Sequence, residues 1–134
     1  GELSSEGMGH IMYSMKIFGV RRFVCQESLG YADGKKILAN TPFVFRKIIV
    51  PLLLKKTFEE HDLQENIIRQ TNLDWTIARA GSMTNGKFTG NYKAGFSNND
   101  RTVKVKISRA DAAHFMLQQL NTNDNVRRTI GLSY

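Results

Sequence analysis

The sequence predicts an α/β fold built on a parallel sheet, and three observations support this. Apolar residues spaced for one helix face precede Gly19, and a short apolar run, 23–26, follows it. A capping box at 57–60 predicts the start of a second helix, and another strand-like run, 74–79, comes after that helix. Each apolar run is then followed by serine and glycine. Helices that alternate with short apolar strands are typical of βαβ units, whose strands are parallel.

The first helix is predicted to begin at Ser4 or Ser5, either of which can cap it, and to end at about Phe18. Gly19 then stands where a glycine cap ends a helix. One apolar face would collect Met8, Ile11, Met12, Met15 and Phe18. Helix, glycine and strand in this order form the second half of a βαβ crossover, and we expect the first strand of that crossover to be absent from the sequence.

The later part of the chain predicts further strands and one more helix. Val103 and Val105 alternate with lysines, which is the pattern of a half-exposed strand. The segment 86–95 is predicted to be a loop with a short strand, and 128–132 a closing strand. A second capping box at 108–111 begins a helix whose apolar face would be formed by Ala110, Ala113, Leu117 and Leu120.

Two regions between the predicted strands permit alternative interpretations. The apolar segment 43–56 could form a lid over a ligand, or it could be an ordinary buried helix that Pro51 kinks or breaks. The helix that begins at 57–60 would place His61, Glu65 and Ile68 along one edge. Glu65 could then bond His61 and hold its tautomer, or the two residues could form only a surface ion pair of little energetic value.

Charge and hydropathy limit the classes of partner. The 134 residues carry a net charge of +7, but the basic residues are dispersed in small groups, which is typical of a solvated surface. We therefore expect no nucleic-acid partner, and the charge alone leaves a basic interaction module as a weaker hypothesis. The apolar run 48–54 is too short to span a bilayer, so no membrane partner is expected.

The single cysteine, Cys25, excludes an internal disulfide and a cysteine-based metal cluster. Because this fits a reducing compartment, we expect a cytoplasmic protein. Cys25 lies within the first apolar run and is predicted to be a small core residue. The three histidines are far apart in the sequence and lack metal-ligand spacing, so no metal is expected.

Polar residues that follow both apolar runs predict a ligand site. Ser28 follows the first run and Gly30 lets the chain turn away, whereas Gly81 and Ser82 follow the second run. Ligands of open α/β sheets bind beyond the carboxyl ends of the strands. We therefore expect Ser28 and Ser82 to face each other across one crevice. The alternative is that Ser28 only bonds the backbone of its own turn.

Four stretches in order along the chain carry a family resemblance. They are 19–30 (GVRRFV, then SLG), 72–81 (NLDWTIARAG), 89–92 (TGNY) and 107–117 (ISRADAAHFML). Together they resemble the atypical short-chain dehydrogenase group, in particular its NAD(P)H-binding NmrA-like members and the biliverdin reductase B/flavin reductase type. The resemblance covers nearly the whole chain in collinear order.

The resemblance implies a Rossmann-like doubly wound parallel sheet that binds NADP or NAD, with NADP favoured. Residues 1–134 would be the carboxyl-terminal part of a single NAD(P)-binding domain. No Gly-x-x-Gly-x-x-Gly turn follows a strand here, so the sheet would be incomplete, with the amino-terminal glycine-rich half absent. We expect this chain by itself to fold incompletely and to be inactive.

The function implied is that of an NAD(P)H-dependent oxidoreductase that reduces a small organic acceptor by hydride transfer. The complete protein would be a monomer or a homodimer. The alternative is a non-catalytic NAD(P)-binding redox sensor or regulatory protein. That alternative is favoured by His61, which stands where the family usually has a lysine.

The resemblance also implies which residues form the site. Ser28 and His61 would be catalytic. The nicotinamide ring would lie between two segments of the chain, and His61 would contact the ribose attached to the ring. The segment on one side is Cys25, Gln26, Glu27 and Ser28, and the segment on the other side is Ala80, Gly81, Ser82 and Met83. Two further residues depart from the family pattern. Ala80 replaces a proline, and Glu27 replaces a first serine and places a carboxylate near the point of hydride transfer.

Overall fold

The computed structural model describes residues 2–29, 63–97 and 99–134. In chain order the elements are α1 (Glu2–Ile17), β1 (Arg22–Ser28), α2 (helical residues 63–69), β2 (Asp74–Ala80), β3 (Ser82–Thr84), β4 (Lys93–Ala94), β5 (Lys106–Ser108), α3 (Arg109–Gln118) and β6 (Arg128–Ser133). A single 3-10 turn, Gln119–Asn121, follows α3.

Parallel pairing dominates the sheet. The four-stranded sheet has the order β1-β2-β6-β4. The pairs β1–β2 and β2–β6 are parallel, whereas β4 is antiparallel to β6. A second, two-stranded parallel sheet joins β3 to β5. The predicted α/β fold with a parallel sheet is therefore confirmed, and the antiparallel strand lies at its edge, where such additions are common.

The end of α1 explains where the chain turns into β1. Gly19 has a φ of 67°, a left-handed conformation that costs glycine little. The N–H of Gly19 donates to the carbonyl of Lys16, and the N–H of Val20 donates to that of Met15, at 3.4 and 2.9 Å. This is a Schellman motif, which satisfies carbonyls that the helix end leaves free. The predicted first helix and its glycine cap are confirmed, but the predicted start at Ser4 or Ser5 was wrong, because both serines lie inside a helix that begins at Glu2.

Helices cover both faces of the sheet. Because side chains alternate along each strand, every strand contributes side chains to both faces. Trp75 and Ile77 of β2 form one core cluster with Ile68 of α2, and Met8, Met12, Phe23 and Cys25 pack against it. Ala78 and Ala80 face the opposite way, toward α3, in a cluster completed by Ile107, Ala112, Phe115, Ile130 and Leu132. A sheet with helices on both faces is doubly wound.

Two predicted apolar faces differ from the structure. On α1, Met8 and Met12 contact the core, but Ile11 is 49% and Phe18 79% exposed. On α3, the predicted face was wrong: Leu117 is exposed, as is Leu120 in the 3-10 turn that follows, and the buried positions are Asp111, Ala112 and Phe115 of the helix and Gln119 of the turn. The helix is turned this way because Asp111 and Gln119 find hydrogen-bond partners inside the protein, which a pattern of apolar residues does not show.

The half-exposed strand predicted around Val103 and Val105 lies further along the chain, at Lys106–Ser108. Val105 has a φ of 51°, outside the extended region, so the chain turns there before β5 begins. The other late elements agree with prediction. Ser108 caps α3 by accepting from the N–H of Asp111 at 3.0 Å, and the closing strand is β6.

The segment 43–56 and the capping box at 57–60 lie outside the described residues, and so does His61. The helix predicted to follow that capping box is present over residues 63–69. Among the helices of the described residues, none has the length and apolar character needed to cross a membrane.

Candidate functional site

The carboxyl ends of β1 and β2 meet at one edge of the sheet. The two strands are parallel and in register along their whole length, with Ser28 opposite Ala80. Ser28 is the last residue of β1 and is exposed; Ser82, two residues beyond Ala80, is exposed as well. Parallel pairing is the condition on which the predicted crevice depends, since it brings both strand ends to the same edge.

After Ala80 the chain no longer pairs with β1, and its backbone hydrogen-bonds to other segments instead. The N–H of Gly81 donates to the carbonyl of Leu132 at 3.0 Å, and the N–H of Ser82 donates to that of Val105 at 2.8 Å. Among the described strands, β3 pairs only with β5. Because backbone groups alternate along a strand, the N–H and C=O of Met83 point to the opposite edge, away from β5. Among the described strands, these two backbone groups of Met83 are therefore not used in sheet pairing.

Gly81 is the first residue after the pairing between β1 and β2 ends. A Cβ atom built there would lie 2.5 Å from the carbonyl carbon of Val105 and 2.7 Å from the nitrogen of Lys106. Both are backbone atoms, which cannot move aside like the end of a flexible side chain. The close approach of the two chain segments thus requires glycine at position 81.

Cys25 packs into the core with its side chain on the α1 and α2 face. Burial raises the pKa of its thiol to about 12, and the negative charges of Glu27 and Glu65 add to the rise. The thiol is neutral at physiological pH, so it is not a nucleophile. Its contact with a cofactor, which the family resemblance implies, stays a prediction.

Gln26 and Glu27 precede Ser28 and point to opposite faces of the sheet. Gln26 is exposed, and its side-chain amide donates to the carbonyl of Glu27 at 2.7 Å. Glu27 is buried and lies opposite Arg79 in the β1–β2 register, on the same face. The carboxylate predicted near the reacting centre is thus at the strand end, on the face that carries α2.

Glu65 is held by two arginines from different elements. Arg79 of β2 donates to both oxygens of its carboxylate, at 2.9 and 2.7 Å, and Arg69 donates to Oε1 through Nε and Nη2, at 2.9 and 2.6 Å. Burial raises the pKa of Glu65, but the hydrogen bonds from Arg79 and then Arg69 outweigh it and hold the pKa below its ordinary value. Glu65 thus forms ion pairs with Arg69 and Arg79, and the pair with Arg79 is largely buried.

Neither arginine is predicted from the sequence as a partner of Glu65. The spacing of Glu65 and Arg69 is i, i+4, which is a recognisable signal for an ion pair on a helix. Arg79, by contrast, is 14 residues away and meets Glu65 only because β2 lies under α2. The suggested bond between Glu65 and His61 stays a prediction, because His61 lies outside the described residues.

Asp111 organises the loop that follows β3. Its buried carboxylate accepts from the N–H groups of Thr89 and Gly90, both at 2.9 Å, and from the hydroxyl of Thr89 at 2.7 Å. It also accepts from the hydroxyl of Tyr134 at 2.5 Å. Burial raises the pKa of Asp111, but these donors, with Tyr134 first, hold it well below the ordinary range. The sequence placed Asp111 in a capping box and gave no sign of these distant partners.

A second contact holds the same loop against α3. The hydroxyl of Tyr92 and Nδ1 of His114 are 2.8 Å apart, and the ring of Phe88 lies 5.0 Å from the imidazole. Burial raises the pKa of Tyr92, and the nearby charge of Asp111 raises it further. The loop begins where β3 ends, so these contacts stabilise the segment that follows Ser82 and Met83.

A family model for NAD(P)H-binding proteins matches residues 1–123. The chain belongs to the NAD(P)H-binding family. This confirms the group to which the sequence was compared and supports a nicotinamide dinucleotide as the ligand class. No curated protein matches the chain.

Solved structures share the fold at low sequence identity. An anaerobillin reductase, ChuY, from Escherichia coli O157:H7 is 20% identical with a TM-score of 0.68, covering 99% of this chain and 59% of its own. A short-chain dehydrogenase/reductase from Veillonella parvula in complex with NADP is 17% identical with a TM-score of 0.69, at 97% and 58% coverage. A Rossmann-fold NAD(P)-binding family protein from Shigella flexneri is 19% identical with a TM-score of 0.63, at 99% and 55%.

These similarities confirm a Rossmann-like α/β fold. The chain spans between 55% and 59% of the length of the three structures. It therefore corresponds to little more than half of a Rossmann-fold protein of this kind.

The described residues fit the nicotinamide part of such a cofactor. Ser28 offers an exposed hydroxyl at the strand end, and the backbone groups of Met83 point away from β5, the strand with which β3 pairs among the described residues. Ala80 and Gly81 between them add little side-chain bulk. A flat ring with a carboxamide substituent needs such a combination of low walls and hydrogen-bonding groups.

Proposed function

We propose that this chain carries the nicotinamide and acceptor part of the site of an NAD(P)H-dependent oxidoreductase that reduces a small organic acceptor. The observation that supports this most is the parallel, in-register pairing of β1 with β2 in a chain of the NAD(P)H-binding family. It brings the exposed Ser28 and Ser82 to the carboxyl edge of the sheet, where ligands of open α/β sheets bind.

The chain's own residues position the reactants. The backbone of Met83 would bond the carboxamide of the ring, and Ala80 with Gly81 would let the ring lie flat against the chain. The hydroxyl of Ser28 would donate a hydrogen bond to the acceptor oxygen on which negative charge develops. The bound reduced cofactor supplies the hydride. His61 would assist at the ribose or at a proton transfer, and its charge would then depend on pH near neutrality.

The experiment uses the full-length protein that the gene encodes. NADPH and NADH are titrated by fluorescence, and oxidation of each is followed with flavins and quinones as acceptors. We expect binding of the reduced cofactor, tighter for NADPH, and turnover with at least one acceptor. Absence of binding to either cofactor would contradict the proposal.

The residue test is Ser28→Ala, with Ser14→Ala as its control. Loss of one hydrogen bond that matters only in the transition state should lower kcat about tenfold and leave cofactor affinity unchanged. Ser14 is an exposed serine on α1, so its replacement should change neither quantity. Equal turnover in wild type and Ser28→Ala would remove Ser28 from the catalytic role.

A redox sensor is the second candidate, and the histidine at position 61 favours it. A sensor would bind the reduced cofactor without oxidising it with any flavin or quinone. The titration and the oxidation assay together therefore distinguish the two functions. A cytoplasmic location also belongs to this proposal, and the single free thiol of Cys25 supports it.

A further inference from the structure

A cavity lies at the amino ends of β1 and β2, opposite the strand ends that carry the candidate site. Its volume is about 490 Å³, within the range of small-molecule sites. Arg21 and Leu73, which line it, precede the first residues of β1 and β2, whereas Ser28 and Ala80 end these strands. Since seven extended residues span roughly 23 Å, the cavity is separate from the crevice.

The lining of this cavity combines an apolar floor with a basic rim. Met12 and Met15 of α1 and Leu73 before β2 provide flexible apolar surface. Lys16 and Arg21 also line it and carry positive charge. An apolar surface beside cations matches a ligand with an apolar body and a single anionic end.

Arg21 and Lys16 differ in their hydrogen-bond and ion-pair partners. Arg21 donates to the carbonyl of Asn72 at 2.8 Å and lies 3.4 Å from the carboxylate of Asp74, which neutralises part of its charge. Lys16 has no hydrogen-bond or ion-pair partner among the described residues, and its charge is also favoured by the carboxyl end of α1, where it lies. Among the described residues that line the cavity, Lys16 is therefore the cation without a partner, whereas Arg21 is held in place by Asn72 and Asp74.

We propose that this cavity binds a small amphipathic carboxylate, with the apolar chain against Met12, Met15 and Leu73 and the carboxylate at Lys16 and Arg21. Such a ligand would contact the end of α1 and the turn before β2 together. This assignment does not depend on the proposed oxidoreductase function, since the two sites lie at opposite ends of the strands.

Calorimetric titration of the full-length protein with decanoate below its micelle concentration tests the proposal. We expect saturable binding of decanoate and at least tenfold weaker binding of decanol, which has the same chain but no charge. Lys16→Gln should weaken decanoate binding about threefold to fivefold, as expected for a partly exposed ion pair. The matched control is Lys104→Gln, which removes an exposed lysine remote from the cavity and should have no effect.

A second variant tests the cavity itself. Val20 lines it and is 49% exposed, so Val20→Trp can fill the space without entering the core, and it should lower decanoate affinity at least tenfold. Titration of NADPH should be unchanged in both variants, which separates failure here from failure of the proposed function. Equal binding of decanoate to Val20→Trp and wild type, no binding at all, or association only with anionic vesicles would overturn the proposal.

Discussion

Asp111 and Glu65 are buried carboxylates on opposite faces of one sheet, and their partners differ in kind. Asp111 accepts from two backbone N–H groups and two hydroxyls, all uncharged. Glu65 accepts from two guanidinium groups on long side chains. A backbone N–H group cannot move to find another acceptor, so it stays unpaired if the carboxylate is removed. An arginine that loses its partner can turn toward water.

The two carboxylates also hold different parts of the protein. Asp111 joins the loop after β3 to α3 and to the last residue of the chain, Tyr134. Glu65 joins α2 to β2 through Arg79, and Arg69 extends the contact to Thr129 of β6 at 2.8 Å. Asp111 therefore fixes the loop after β3 by hydrogen bonds to neutral groups, whereas Glu65 fixes α2 on the sheet by ion pairs.

The largest effect is expected from Asp111→Ala. It leaves the N–H groups of Thr89 and Gly90 and the hydroxyl of Tyr134 without their acceptor, and we expect a loss of about 4 kcal/mol in the free energy of unfolding. Urea denaturation of the full-length protein measures it. Asp124→Ala, at an exposed aspartate in the turn before β6, is the control and should change stability by less than about 0.5 kcal/mol.

A smaller effect is expected from Glu65→Ala. The side chains of Arg69 and Arg79 are 44% and 18% exposed, so both can reach water in part, and we expect a loss of about 2 kcal/mol. Glu6→Ala on the exposed surface of α1 is the control. The same urea measurement compares the two variants. A larger loss in the free energy of unfolding for Glu65→Ala than for Asp111→Ala would contradict the idea that fixed neutral donors cost more to leave unpaired than arginines do.

The smallest effect is expected from pH, which should change how much Asp111 contributes to the free energy of unfolding. The pKa of Asp111 is lower in the folded protein than in the unfolded chain, where a carboxyl titrates near about pH 4. Its contribution to stability is therefore present above about pH 4 and is lost as the pH falls below that value. The difference between wild type and Asp111→Ala should be larger at pH 7 than at pH 3. A difference independent of pH would show that the charge of Asp111 contributes nothing.

Local signals in the sequence predicted the main elements correctly. The apolar spacing before Gly19 predicted α1, and the runs at 23–26 and 74–79 predicted β1 and β2. The same signals were less reliable for burial. Leu117 and Leu120 share an apolar face in the sequence but are exposed, because the orientation of α3 depends on what Asp111 and Phe115 meet elsewhere in the fold.

For the candidate site, the sequence predicted that Ser28 and Ser82 stand at strand ends, and the parallel pairing of β1 and β2 puts both at one edge. It could not predict that Gly81 lies against the backbone of Val105. That contact joins chain segments 24 residues apart in number, and no residue pattern near either position encodes it. The roles of the individual site residues remain predictions.

The sequence by itself determined the order of helices and strands, the glycine cap of α1 and the family, because each depends on residues that are near neighbours or on a collinear match along the chain. Only the tertiary structure decided the partners of the buried charges. Glu65 meets Arg79 across 14 residues, and Asp111 meets Tyr134 across 23. A buried carboxylate must find donors wherever the folded chain brings them, and that placement is set by packing rather than by spacing in the sequence.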